Sequence, residues 1–231
     1  MDKVGFSTGV IYKTNKSLEE RSKLFFNSGA NIIELGFDIP RSLLEFNLSK
    51  DFIQNLEPYS FISIHAPFID AEYNCNLETH KMVDKLKNIC DLINISGIVV
   101  HPDQVRDFSV LEKSGLPFLM ENMDIRKNDY IYPEHIEKLK NNYGFNFVLD
   151  TQHAYEHDAS MNLALEILEV MGDRLHHLHL AGNNSKERHF PVHISDNKNS
   201  MIKILEGTFP TMKDYFEYSR DEINFIRSFE L

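Results

Sequence analysis

The chain has 231 residues, 42% apolar and 26% charged, and its 24 Lys and Arg against 35 Asp and Glu give a formal charge of −11. That length suits one large α/β domain over residues 1–231, and the acidic balance supplies no electrostatic footprint for nucleic acid. No stretch approaches the ~20 apolar residues that span a bilayer, and MDKVGFSTGV reads as a short strand rather than a secretory signal, so a cytoplasmic protein without membrane association is expected.

Eight runs rich in Val, Ile, Leu and Phe recur at roughly thirty-residue spacing, at residues 4–10, 31–37, 61–65, 97–101, 117–121, 145–150, 175–180 and 201–206. Most are continuously apolar, as strands buried on both faces are. Helical patterns lie between them. Ser17 with Glu20 forms a capping box, and Gly29 marks the stop of that first helix. Val83, Leu86, Cys90 and Ile93, spaced three and four apart, make one apolar face. Cys90 is read as a buried reduced thiol, and neither it nor Cys75 joins a motif. Residues 108–114 leave about two turns for a crossover helix. Pro133 opens the helix 134–142, and 161–171 is an apolar helix ended at Gly172. Residues 217–222 read as a solvated acidic helix face. The pattern predicts one compact (β/α)8 TIM barrel, in preference to an open doubly wound sheet.

Residue types that bind metals recur where these runs end: His65 in SIHAP, His101 in VVHPD, Glu121 in LMENM, and Asp150 with His153 in LDTQH. His179 in LHLAG, Glu187 with His189 in ERH, and Glu206 in ILEG follow. A barrel gathers its strand ends on one face, so these nine residues are expected to converge. Five imidazoles and four carboxylates exceed the roughly four ligands of one zinc, so a cluster of divalent ions is expected. Nitrogen and carboxylate donors without thiolate suit zinc, manganese or iron. His176 and His177 lie on the same strand as His179, but only His177 shares its face, and His177 reads as a polar core residue. His80, His135 and His157 read as solvated, and His193 as a neighbour of the site. Glu34 closes the second run, where a carboxylate binds a sugar hydroxyl or holds a loop cation.

HAP after the third run, HP after the fourth, EN after the fifth, DTxHA after the sixth and HL after the seventh together resemble endonuclease IV. That is family 2 of the AP endonucleases, within the xylose-isomerase-like TIM-barrel superfamily. The resemblance spans about residues 61–206 and implies a trinuclear zinc site held by the nine residues above. Glu187 departs, standing where the family has Asp. IIELGFD is more similar to the sugar isomerases and epimerases of the superfamily, which imply one metal on Glu121, Asp150, His179 and Glu206.

Two chemistries follow. In metal-assisted hydrolysis of a phosphate ester, such as abasic-site DNA or a smaller phosphorylated molecule, Glu121 bridges ions and Glu206 orients the nucleophilic water. Arg126, Lys186 and Arg188 then meet phosphate charge. In isomerisation or epimerisation of a small sugar or sugar phosphate, Glu121 and Glu206 instead exchange a proton beside a polarised carbonyl. A metal-binding barrel without catalysis is the third expectation.

Overall fold

Strands β1 (Val4–Ser7), β2 (Ile32–Gly36), β3 (Phe61–His65), β4 (Gly97–Val100), β5 (Phe118–Glu121), β6 (Asn146–Asp150) and β7 (Leu175–Leu180) form a curled, wholly parallel sheet in sequence order. The computed structural model describes residues 3–11, 16–184, 190–205, 211–213 and 219–228. A three-residue strand, β8 (Thr211–Lys213), pairs in parallel with β7 on one side and β1 on the other. Helices α1 (Leu18–Asn27), α2 (Pro40–Leu44), α3 (Lys50–Leu56), α4 (Leu77–Leu92) and α5 (Phe108–Lys113) lie between the first five strands. The later ones are α6 (Pro133–Asn142), α7 (Thr151–His157), α8 (Asn162–Met171), α9 (Lys198–Leu205) and α10 (Ser219–Arg227).

Alternation along the strands makes two cores. Ile33, Leu35, Ile62, Ile64, Ile98, Val100, Phe147 and Leu149 face the helix layer in one continuous cluster. Val99, Leu119 and Val148 form a separate cluster inside the sheet, and Ile32 with Phe61 another. The same inner faces carry Glu34, His65, Glu121, Asp150, His177 and His179, two residues or a multiple of two further along their strands. The strand geometry that fills the floor therefore aims polar side chains into the mouth.

Local sequence signals account for several boundaries. Ser17 and Glu20 make the reciprocal capping bonds at the start of α1, and Gly29 takes φ +97° just beyond its end. Pro133 is the first residue of α6, and the short crossover helix falls at α5. Met161 is the residue before α8 rather than part of it, with φ +64°. Among the described residues no helix is long and apolar enough to cross a membrane.

Three expectations are corrected. Residues 201–206 are not the eighth strand, because 201–205 complete α9. Met201 and Ile204, three apart, are both buried, which one helix face achieves and an alternating strand does not. The acidic run 217–222 is not wholly solvated: Glu222 on α10 is fully buried and accepts from the His193 backbone N–H at 2.9 Å, with His193 Nδ1 at 2.5 Å. Glu217 lies outside the described residues. Cys90 is half-buried rather than buried, and burial pushes its thiol up to about 11.

Gly5 shows how tightly β1 and β2 approach. A methyl group there would stand 1.8 Å from the Ile32 carbonyl oxygen, on backbone that cannot move aside without breaking the ladder. Gly5→Ala should therefore destabilise by about 3 kcal/mol or more, read as a lower urea midpoint. An unaltered midpoint would show that the strand approach is looser than described.

Candidate metal centre

Glu121, the last residue of β5, is the meeting point of the site. Its Oε1 lies 2.7 Å from His179 Nδ1. Its Oε2 lies 3.0 Å from His101 Nε2 and 3.4 Å from His65 Nε2. His65 Nδ1 faces the Ala66 carbonyl at 3.1 Å, which turns Nε2 toward the carboxylate. Phe68, in the same loop, packs on both rings, with centroids 5.2 Å from His65 and 4.9 Å from His101.

Asp150 and His153 are placed by their own turn and by Asn122. Asp150 Oδ1 caps α7 by accepting from His153 N at 2.8 Å, while its other oxygen, Oδ2, lies 3.8 Å from His153 Nε2. Asn122 accepts from Asp150 N at 2.7 Å and donates to the Asp150 carbonyl at 3.0 Å, so it clamps the end of β6. The Asn122 carbonyl receives His153 Nδ1 at 2.7 Å. That bond fixes the tautomer and leaves Nε2 for a ligand, as outer partners of metal-binding histidines do. Asn122 was missed as a functional residue, although the EN pair was visible in the sequence.

His179 stands between two carboxylates: Nδ1 faces Glu121 and Nε2 faces Glu34 Oε2 at 3.2 Å. Glu34 is fully buried, accepts from Ser63 Oγ at 2.9 Å, and faces histidines rather than a loop cation. His177, read as polar core, is fully buried with Nε2 3.3 Å from His179 Nε2. The spacing of two residues on one strand was its only sequence signal. His80 is exposed, and His135 and His157 are half-buried.

Charge is concentrated here. Burial pushes the Glu121 carboxyl up, but His179, His101 and His65 outweigh it and hold it well below the usual carboxylate range. Glu34 behaves alike, with burial opposed by His179, His177 and His65. For His179 burial favours the neutral ring, yet Glu34 and Glu121 raise it well above the usual imidazole value. Burial lowers His177 to about 4 and also lowers His101. His65 and His153 are raised, because Glu121 in one case and Asp150 in the other outweigh burial.

The donor set fits divalent cations. His65, His101 and Glu121 bring ligand atoms within 4.8 Å of one another, as do Glu121, Asp150 and His179, so one carboxylate belongs to both groups. Glu121 Oε2 is buried without an aligned hydrogen-bond donor, a condition that a bound cation relieves. Glu187, His189 and Glu206, and the expected phosphate-binding Lys186 and Arg188, lie outside the described residues. Arg126 is described, and it is turned onto Asp124, its Nε 2.9 Å from Oδ2.

No protein-family model matches the chain, and no curated protein matches it. Solved structures share the fold. A D-tagatose 3-epimerase-like protein superposes with a TM-score of 0.71 at 18% identity, over 98% of this chain and 96% of that one. Endonuclease IV from Thermus thermophilus gives 0.70 at 16% identity, over 98% of both chains. A Thermus thermophilus protein soaked with ZnCl2 gives 0.67 at 17% identity, over 99% of this chain and 98% of that one. At these identities the likeness is one of fold, shared alike by the epimerase-like protein and the endonuclease IV.

Because the Asn122 side chain clamps the backbone of Asp150, Asn122→Ala should weaken zinc binding about 10- to 100-fold in a calorimetric titration. Unchanged affinity in a folded variant would show that this side-chain clamp does not position Asp150 for metal.

Proposed function

We propose that the chain is a metal-dependent enzyme that hydrolyses phosphate esters at a multinuclear centre, in the mouth of a complete eight-unit barrel. The single observation carrying this reading is the two-sided carboxylate of Glu121, with His179 at one oxygen and His101 and His65 at the other. A one-metal site has no use for that second pair of imidazoles. His65, His101, Glu121, Asp150, His153 and His179 would hold two or three divalent ions, zinc first and manganese or iron as alternatives, together with Glu187, His189 and Glu206. Such ions supply Lewis acidity toward phosphoryl oxygens and make water a competent nucleophile near neutral pH.

The protein's own groups do the rest. Asn122 holds Asp150 and His153 in register, and Phe68 packs against the rings of His65 and His101. Glu206 is the residue proposed to orient the attacking water, and Lys186 and Arg188 to meet the phosphate. The rim argues for a small substrate. Arg126 is held by Asp124, Lys127 by Asp103 at 2.5 Å, and Arg106 by Glu72 at 3.4 Å. Duplex binding draws on cations left free to replace counterions, and these three are already matched. A small phosphorylated molecule therefore ranks ahead of abasic-site DNA.

Isomerisation or epimerisation of a sugar or sugar phosphate is the second reading. It is supported by the group Glu121, Asp150 and His179, which can hold a single ion without His65 or His101.

His101→Ala separates the two. Hydrolysis of a panel of phosphate mono- and diesters, with an abasic duplex included, should fall by about a hundredfold or more in this variant. Wild-type solvent deuterium exchange into sugars, unaffected by His101→Ala and with no hydrolysis, would replace the first reading with the second.

A further inference from the structure

We infer that Glu34, His177 and His179 form a further divalent-metal position inside the barrel, one layer below the mouth. His177 precedes His179 by two residues on β7, so both side chains share the inner face and His177 sits about 7 Å deeper along the strand. Glu34 reaches the same point from β2, where it pairs in register with Ser63 of β3. Phe61 closes the space beneath, its ring centroid 5.7 Å from that of His177.

The three ligand atoms form a triangle. Glu34 Oε2 is 3.2 Å from His179 Nε2 and 3.7 Å from His177 Nε2, and the two imidazole nitrogens are 3.3 Å apart. Tetrahedral coordination with bonds of ~2.1 Å separates ligand atoms by about 3.4 Å, so the triangle has the size of one face of that polyhedron. All three side chains are 97% or more buried. The second observation is Glu34 Oε1, a buried carboxylate oxygen without a hydrogen-bond partner. Ser63 Oγ, donating to Glu34 Oε2, orients the carboxylate as an outer partner does. His176 Nδ1, 2.9 Å from His177 Nδ1, leaves Nε2 of His177 for the ion.

His179 then acts on both sides: Nδ1 serves the group of Glu121 and Asp150, and Nε2 the deep position. The deep ion is held by protein atoms and stands beneath the substrate-facing ones, so its role is to fix His179 and to compensate the buried Glu34 charge. This does not depend on which reaction the mouth performs.

The test uses the whole chain, stripped by chelator, loaded with Zn2+ alone and desalted before elemental analysis. In the double variant Glu121→Gln with Asp150→Asn, each mouth group loses a carboxylate, and about one zinc per chain should remain, held by Glu34, His177 and His179. Adding His177→Gln should release that ion. A double variant that keeps its circular dichroism but holds no zinc would overturn the proposal, and so would zinc retained unchanged after His177→Gln. Should the variants fail to fold, the wild type decides by nitrogen NMR of labelled histidines with 113Cd2+. Cadmium coupling to Nε2 of His177 supports the deep site, and its absence while the mouth histidines couple overturns it.

Discussion

A buried carboxylate among imidazoles holds this site together. Glu121 and Glu34 are each almost inaccessible to water, and a charge in that position costs several kcal/mol unless it is matched. His179 matches both, one ring nitrogen to each. Against burial, the histidines lower both carboxylates and the carboxylates raise His179. The inner face of the curled sheet above the apolar floor is therefore electrostatically interdependent, and bound cations would take over the compensation that imidazolium protons otherwise give.

The scaffold serves that arrangement by periodicity and by close backbone approach. Inner-facing positions change from Ile32, Phe61, Leu119 and Val148 to Glu34, His65, Glu121 and Asp150 as these four strands climb toward the mouth. Asn122 ties the ends of β5 and β6 to each other, so the positions of Glu121, Asp150 and His153 are set together rather than one by one. Among the described residues of the rim, Arg106, Arg126 and Lys127 are each paired with a neighbouring carboxylate.

Seven strands were legible because burial on both faces makes most of them continuous apolar runs between turn signals. The eighth was misplaced: in 201–205 apolar residues stand side by side, and only burial of Met201 with Ile204 shows the helical period. The true partner segment, Thr211–Lys213, is three residues long and carries no run to read. Among site residues, His65, His101, Glu121, Asp150, His153 and His179 were visible as ligand types at strand ends, and the structure brings them together. His177 was not, since a histidine two residues below a ligand looks like any polar core residue until Glu34 arrives from a strand about 140 residues away. Arg126 looked free to meet phosphate because its partner Asp124, two residues earlier, is no helical neighbour. Glu222 looked solvated because Asp221 beside it is.

The central claim is that Glu121 divides two metal positions. Diffraction from crystals of the zinc-loaded chain, collected at the zinc absorption edge, tests it directly. The account predicts separate anomalous peaks on the two sides of that carboxylate, one beside His65 and His101 and one beside Asp150 and His179. A single peak among Glu121, Asp150 and His179, with His65 and His101 binding nothing, would contradict it.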